Sequence, residues 1–387
     1  MEKEIQQLVQ QIHDAPGQTM MVAAGAGTKA LSSLLGVAGA TRTLLEAVVP
    51  YSTAAFDDFL EQTPAQYVAG KTARLLAGRA YTRARWLAPF HEPVVGLACT
   101  ATIVTDRPKR GEHRAHLATW QNERLVRYAL FLDKGARVRE EEEDLVSRIM
   151  LNGLAAALNL EAVLPLSLRD ADRYKVKTFD FAHMAGQLLD GKLPYFSIDD
   201  NGRILTHTHD TRPPMLLSGS FNPLHQGHLA LAHTVQNMSG RPIAFEISAT
   251  NVDKPSLSQT ELLARMGQFA GRYQIFAGTA PTFVEKARLF PQTTFVVGYD
   301  TARRILDPHY YNDDPVRLHA ALSDIQAQGC AFLVAGRIDR ENGRFQRLYD
   351  LNIPPPFGGL FQAVPEEHFR SDISSTELRQ AGHKGSR

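Results

Sequence analysis

The residues best placed to do chemistry stand together in Gly219-Ser220-Phe221-Asn222-Pro223-Leu224-His225-Gln226-Gly227-His228. His225 and His228 are three apart, so at the start of a helix they share one face. Gly227 between them removes a side chain that would crowd a ligand, and Gly219 lets the backbone turn tightly against one. The free N–H groups and dipole of a helix N-terminus form an anion site. Two imidazoles above such a terminus suit a polyphosphate. Taken alone, the segment would also read as a capped helix carrying surface histidines.

Holding that segment in place requires a strand before it and a helix after it. Met215-Leu216-Leu217 supplies an apolar strand, and helical spacing runs from about Gln226 to Met238. The alternation continues with strand 242–248, helix 258–271, strand 273–276, helix 281–289, strand 293–297, helix 315–328 and strand 330–335, and a short helix is expected after Ser374. Such alternation predicts a doubly wound parallel sheet with ligands outside the carboxyl ends of its strands. The first 160 residues carry an α/β pattern of their own. Helices are expected at 2–13, 28–36, 64–85 and 138–159, with strands in 20–27, 93–105, 113–120 and 122–133. Thr63-Pro64 reads as a cap and first-turn pair. The acidic run Glu140 to Asp144 reads as a solvated helix start favoured by the dipole. From 161 to 212 the pattern weakens into a linker with some structure of its own, since a bare loop that long is uncommon. The expected division is a domain at 1–160, a linker at 161–212 and a second domain at 213–387.

At 387 residues the chain exceeds the roughly 250–300 at which one core stops growing, which agrees with two domains. Lys plus Arg number 42 and Asp plus Glu 41, a net charge of +1, so neither nucleic acid nor an anionic membrane is expected as a partner. An anionic ligand would need a local site. Two cysteines, Cys99 and Cys330, exclude a disulfide framework and a Cys-based zinc centre, and both lie in apolar runs as small buried hydrophobes. His113 and His116, three apart in a strand, face opposite sides and cannot easily share a metal. Thr206-His207-Thr208-His209-Asp210 reads as a polar edge strand. No apolar run approaches the roughly 18 residues that span a bilayer, and the polar N-terminus lacks a signal core, so the protein reads as cytoplasmic.

The glycine-led turn and His-x-Gly-His resemble the signature of the nucleotidylyltransferase superfamily. Two further segments resemble that family. Phe295-Val296-Val297-Gly298-Tyr299-Asp300 is similar to its strand ending in Gly-x-Asp, and Ile373-Ser374-Ser375-Thr376-Glu377-Leu378-Arg379 to its Ile-Ser-Ser-Thr-x-x-Arg. The resemblance implies a Rossmann-like fold and adenylyl transfer from ATP to a phosphorylated acceptor, with Mg²⁺ accompanying ATP. His225, His228 and Arg379 would be catalytic. Gly219, Ser220, Phe221, Gly227, Gly298, Asp300, Ser374, Ser375 and Thr376 would bind ATP. Gly-Ser-Phe-Asn-Pro looks most like the nicotinamide/nicotinate-mononucleotide adenylyltransferases, and Asn251-Val252-Asp253-Lys254-Pro255 with Arg265-Met266 resembles their acceptor loop and helix. Lys254 becomes a candidate for the acceptor phosphate, although a solvated loop lysine reads the same. Both tryptophans, Trp86 and Trp120, fall in the first domain, leaving Tyr299, Phe283 or Tyr310 to stack on a pyridine ring. Another acceptor, CTP in place of ATP, or a nucleotide sensor without catalysis are the alternatives.

Residues 18–159 resemble the C-terminal domain of CinA, the nicotinamide-mononucleotide amidase family, in the turn after the first strand, in Val48-Val49-Pro50-Tyr51-Ser52 and in strand 94–102. The motifs are altered where chemistry would occur. Ala24 stands in place of the nucleophilic serine, Phe56 in place of the lysine, and Thr100-Ala101-Thr102-Ile103-Val104-Thr105 in place of a glycine-rich run. A methyl group cannot attack an amide. The domain is therefore expected to bind a nucleotide or mediate a homo-oligomer, and not to hydrolyse amides; Thr28 or Ser32 as a replacement nucleophile is the alternative, for which the sequence places no base.

Overall fold

The computed structural model describes residues 1–89, 92–106, 110–207, 215–250, 255–339 and 343–370. In the N-terminal part follow α1 (Lys3–Asp14), β1 (Gln18–Ala24), α2 (Thr28–Gly36), α3 (Ala40–Thr43), β2 (Leu44–Val48), α4 (Thr53–Leu60), α5 (Gly70–Leu87), β3 (Val94–Thr102), β4 (His113–Trp120), β5 (Arg124–Leu132), α6 (Arg139–Ala157) and β6 (Arg173–Asp180). The six strands form one sheet in the order β2-β1-β3-β4-β5-β6, parallel across β2-β1-β3 and antiparallel beyond. α5 lies on one face, and α1, α2 and α6 cover the other.

The remainder runs α7 (Phe181–Leu189), β7 (Tyr195–Ile198), β8 (Ile204–Thr206), β9 (Met215–Ser218), α8 (Gln226–Ser239), β10 (Ala244–Ser248), α9 (Gln259–Gly267), β11 (Ile275–Gly278), α10 (Phe283–Leu289), β12 (Thr294–Gly298), α11 (Tyr299–Ile305), α12 (Pro315–Ala327), β13 (Ala331–Ala335), the short ribbon β14 (Arg337–Ile338) with β15 (Phe345–Gln346), and β16 (Phe361–Val364). The second sheet has the order β16-β13-β12-β9-β10-β11-β7-β8 and is parallel from β16 to β11. Counted in chain order its parallel strands run 3-2-1-4-5-6, with the switch between β9 and β12. Residues of α8 and α9 pack on one face, and of α10, α11 and α12 on the other. The fold is α/β, two sheets in two domains, as the alternation of elements predicts.

Three features depart from the sequence reading. Within the expected linker 161–212, the described residues 161–207 do not stand apart from the sheets. β6 extends the first sheet by pairing with β5, while β7 and β8 add an antiparallel edge to the second by pairing with β11. The strands are short or polar, so their apolar periodicity is weak, and only long-range pairing fixes them. α5 starts at Gly70 rather than at Pro64, because Tyr67 is held sideways: its hydroxyl donates to Asp57 (3.0 Å) and its carbonyl accepts from Thr100 (2.8 Å). The acidic run at α6 is not uniformly solvated. Glu142 is fully buried, with one oxygen on His113 (2.9 Å) and the other on the Val104 N–H (2.8 Å). His113 thus faces α6 while His116 faces the α5 side, as their spacing requires. Cys99 and Cys330 are buried thiols, and His209 and Asp210 lie outside the described residues.

One apolar core runs from the first sheet through α5, α7 and α9 into the second sheet. The approach is closest where a Cβ on Gly78 of α5 would stand 2.4 Å from the Gly271 nitrogen, and Gly271 itself has φ +72°. Glu61 beside α4 pairs with both Arg79 and Arg272, and the Arg74 Nε donates to the Asn201 carbonyl (2.8 Å), so polar contacts also join the halves.

Candidate active site

β9 pairs with β12, Leu217 beside Val296, so the chain leaving β9 at Gly219 and the chain leaving β12 at Gly298 emerge side by side at the switch of the sheet. The Gly219 N–H donates to the Glu246 carbonyl of β10 (3.0 Å). Phe221 follows with φ 42°, and its ring is wholly buried against Phe245 and Phe269, centroids 5.5 and 5.2 Å away. That ring explains the glycine, because a Cβ at 219 would stand 2.8 Å from it. It also sets the role of Phe221. The side chain is a floor, edge-on to His228 at 5.1 Å, and only the main chain of Phe221 is left to meet a nucleotide.

The turn is clamped by a residue whose part was not legible in the sequence. Gln268, just after α9, donates from Nε2 to the Phe221 carbonyl (2.8 Å) and accepts from the Leu224 N–H at Oε1 (2.8 Å). Arg265 adds a bond to the Ser220 carbonyl (3.3 Å). Gln268→Met removes both amide contacts at similar volume. Turnover is expected to fall between about 10- and 100-fold, the scale of small misplacements of catalytic groups, with little change in thermal midpoint. Steady-state kinetics beside a melt checks this.

His225 caps α8, and its ring stacks on His228 with centroids 3.7 Å apart and planes 24° apart. His228 Nδ1 accepts from the His225 backbone N–H (3.3 Å), which leaves the proton of the neutral ring on Nε2 as a donor. Burial, and then the adjacent His225, pushes the His228 imidazole down to about 3, and burial pushes His225 down as well. His225 is 6% exposed, and its Nδ1 is buried without a hydrogen-bond partner. The first turn of α8 holds no acidic side chain. The arrangement is two neutral imidazoles on a helix N-terminus that carries no acidic side chain, which suits anionic oxygens.

The sign of the pH dependence follows. The unfolded chain takes up the His228 proton near 6.5 and the folded chain only near 3, so stability is intact above 6.5 and declines as pH falls through that window. The slope attributable to this group approaches about 1.4 kcal/mol per pH unit. Urea unfolding between pH 7 and 4 is expected to show it, and His228→Asn to flatten it by that amount.

On the β12 side Gly298 is exposed, with open space where a Cβ would project. Asp300 in the first turn of α11 is paired with Arg337, a partner that sequence reasoning missed. Ser220 is exposed beside the turn and Gly227 is buried in α8. Of the proposed ring partners, Tyr299 is buried and Phe283 packs edge-on against Phe295 and Phe332, so both belong to the core, and Tyr310 is half-buried. Lys254, Ser374, Ser375, Thr376 and Arg379 lie outside the described residues. A third missed feature lies behind the turn, where Lys286 of α10 forms an ion pair with Glu246, the residue whose carbonyl holds Gly219. A lone Glu inside the apolar run Ala244-Phe245-Glu246-Ile247 was the available signal, since a buried charge demands a partner.

In the N-terminal domain the turn after β1 is occupied by the protein itself. Glu143 accepts from the N–H groups of Gly27 (3.0 Å) and Lys29 (3.1 Å) and from the Thr28 hydroxyl (3.0 Å), so a carboxylate sits on the start of α2. Phe56 is buried against Tyr67, and Tyr51 is 78% exposed. The Thr28 hydroxyl thus meets a carboxylate there, one that also holds the Gly27 and Lys29 N–H groups.

Residues 216–381 match the cytidylyltransferase-like family, which supports a nucleotidyltransferase. Among solved structures the chain is similar to the competence/damage inducible protein CihA from Agrobacterium tumefaciens, at 19% identity over 41% of this chain and 98% of that one, with a TM-score of 0.34. It is also similar to CinA-superfamily proteins from Enterobacter cloacae, at 14% identity over 41% and 89% with a TM-score of 0.32, and from Escherichia coli, at 17% identity over 41% and 92% with a TM-score of 0.30. A search of curated proteins finds no match. Among the described residues no helix is long and apolar enough to cross a membrane.

Proposed function

We propose that the cytidylyltransferase-like domain is an ATP-dependent adenylyltransferase whose acceptor is nicotinamide or nicotinate mononucleotide. The observation that carries this reading is the stacked His225–His228 pair on the N-terminus of α8, which carries no acidic side chain, at the switch of the sheet beside Gly298. A phosphate oxygen of the acceptor, already anionic at pH 7, attacks the α-phosphorus of ATP. The new P–O bond forms as the bond to the β-phosphate oxygen breaks, and pyrophosphate leaves. No proton has to be removed, so the work of the protein is positioning and charge stabilisation.

His228 Nε2–H and His225 hold the oxygens around the α-phosphorus. The main chain of Gly219 to Phe221 and the open face of Gly298 receive the nucleotide, with Ser220 at the rim and Gly227 keeping the helix start clear. Asp300, already paired with Arg337, orders the α11 side. By resemblance Arg379, Ser374, Ser375 and Thr376 take the β and γ phosphates, and Lys254 the acceptor phosphate. Mg²⁺ would arrive on the ATP phosphate oxygens and keep its waters, as small hard cations do at such sites. Bound there it would neutralise phosphate charge.

The test is pyrophosphate release with each nucleotide and acceptor in turn. Release requiring both ATP and the mononucleotide supports the reading. Release with CTP alone among nucleotides would replace the donor, and none with any pair would leave a binding domain. The N-terminal domain takes no part in amide chemistry in this account. Incubation with nicotinamide mononucleotide is expected to release no ammonia above the uncatalysed background, and measurable ammonia would overturn that assignment.

A further inference from the structure

Gln268 and Phe269, which hold the turn leading to His225, belong to a tight loop that closes α9. The Ala270 N–H donates to the Gly267 carbonyl (3.2 Å) and the Arg272 N–H to the Phe269 carbonyl (3.0 Å). One side of this loop serves the transferase domain. Gln268 binds the Phe221 carbonyl and the Leu224 N–H, and the Phe269 ring meets Phe221 and Phe245 with centroids 5.2 and 4.6 Å away. The other side is glycine and bare backbone, and it is pressed against α5 of the N-terminal domain.

That contact has no slack. A Cβ on Gly78 would stand 2.4 Å from the Gly271 nitrogen, 2.7 Å from its Cα and 3.0 Å from the Ala270 carbonyl carbon. From the opposite side, a Cβ on Gly271 would stand 2.4 Å from the Arg79 nitrogen and 2.7 Å from the Gly78 carbonyl carbon. Two main chains meet here with no side chain between them. At the start of the loop, a Cβ on Gly267 would stand 3.1 Å from the hydroxyl of the buried Tyr81, which donates to Asn122 (3.3 Å). The gap bordered by Trp120, Asn122, Met266 and Phe269 is about 10 Å³, one water's worth at most. α5 in turn has little room to withdraw, because a Cβ on Gly96 of β3 would stand 2.1 Å from the Ala77 carbonyl oxygen. Glu61 ties the contact by pairing with both Arg79 and Arg272.

We propose that the N-terminal domain is part of the transferase machinery, with Gly78 as a positioning residue: α5 fixes the 267–271 loop, and the loop fixes Gln268 and Phe269 beneath the turn that carries His225 and His228. The proposal rests on the adenylyl-transfer reading of that site. Close-packed interiors transmit a displacement rather than absorb it. A methyl group at position 78 meets only backbone, so the Ala270–Gly271 segment has to move, and Gln268 two residues away moves off the Phe221 carbonyl with it. A misplacement of about 1 Å costs up to about 100-fold in rate. The N-terminal domain thereby acts on the reaction without a ligand or a nucleophile of its own.

Turnover is measured in the full chain as pyrophosphate release from ATP and nicotinamide mononucleotide. Gly78→Ala is expected to lower kcat about 10- to 100-fold while KM for ATP changes less than about threefold. Alanine is the better helix former, so such a loss does not trace to a weakened α5. In a Gln268→Met background the same substitution is expected to lower kcat less than about threefold further, because both changes act through one clamp, whereas independent losses multiply. In ¹⁵N-histidine spectra of Gly78→Ala the His225 and His228 ring resonances, assigned through His228→Asn, are expected to shift. If Gly78→Ala does not fold, Tyr81→Phe, which keeps the buried ring and removes only the hydroxyl over Gly267, takes its place with a loss of about threefold. A wild-type chain that releases no pyrophosphate would contradict adenylyl transfer alone, and the ring resonances would still decide the coupling. The proposal is overturned if the folded variant keeps the wild-type kcat, if its ring resonances match those of the wild type, or if the two losses multiply.

Discussion

His228→Ala is expected to lower turnover by at least about 100-fold while ATP binding persists, the usual scale for losing one donor aimed at transition-state charge. The expectation follows from the ring's fixed state. Its Nδ1 is engaged by the His225 N–H and its protonation is pushed down to about 3, so at neutral pH it is a neutral donor through Nε2. Such a donor needs no reorganisation when charge develops on the phosphorane oxygens. ATP also meets the helix terminus and the Gly219 turn, so its affinity should fall far less than turnover. Steady-state kinetics with equilibrium binding of ATP separates the two. Unchanged turnover would remove His228 from the mechanism.

Lys286→Met is expected to cost about 3 kcal/mol or more in urea unfolding, the size found when one partner of a buried ion pair is removed. Glu246 and Lys286 have side chains 1% and 7% exposed, inside a layer otherwise filled by Phe276, Phe290 and Phe295. Removing the ammonium strands a carboxylate with no water to solvate it. The double variant Glu246→Met with Lys286→Met should recover most of the loss, because an apolar pair of similar volume is often as stable as a buried salt bridge. If the single variant loses under about 1 kcal/mol, the pair is solvated and the close-packed layer behind the turn is wrong.

The strand-turn-helix around His225 was legible because each part is local: an apolar strand at 215–217, a glycine that a buried ring demands, and two histidines three apart. The alternation that gives the second sheet its order was legible for the same reason. β6 was not, since Arg173-Tyr-Lys-Val-Lys-Thr178 is a polar edge with exposed side chains that only pairing with β5 turns into a strand. β7 has four residues and meets β11 some 80 positions later, a contact no local pattern announces. Charge was misread where it is buried. Glu142 and Glu143 look like a solvated helix start in sequence, yet one holds His113 and the other fills the start of α2. Gln268 left no signal, because an amide that clamps a turn resembles any surface glutamine until the turn is folded against it.

The most direct measurement is to incubate the purified full chain with ATP, Mg²⁺ and either nicotinamide or nicotinate mononucleotide and resolve the products by mass spectrometry. The account predicts the corresponding adenine dinucleotide with an equal amount of pyrophosphate. A folded, ATP-binding sample that yields neither product would contradict it.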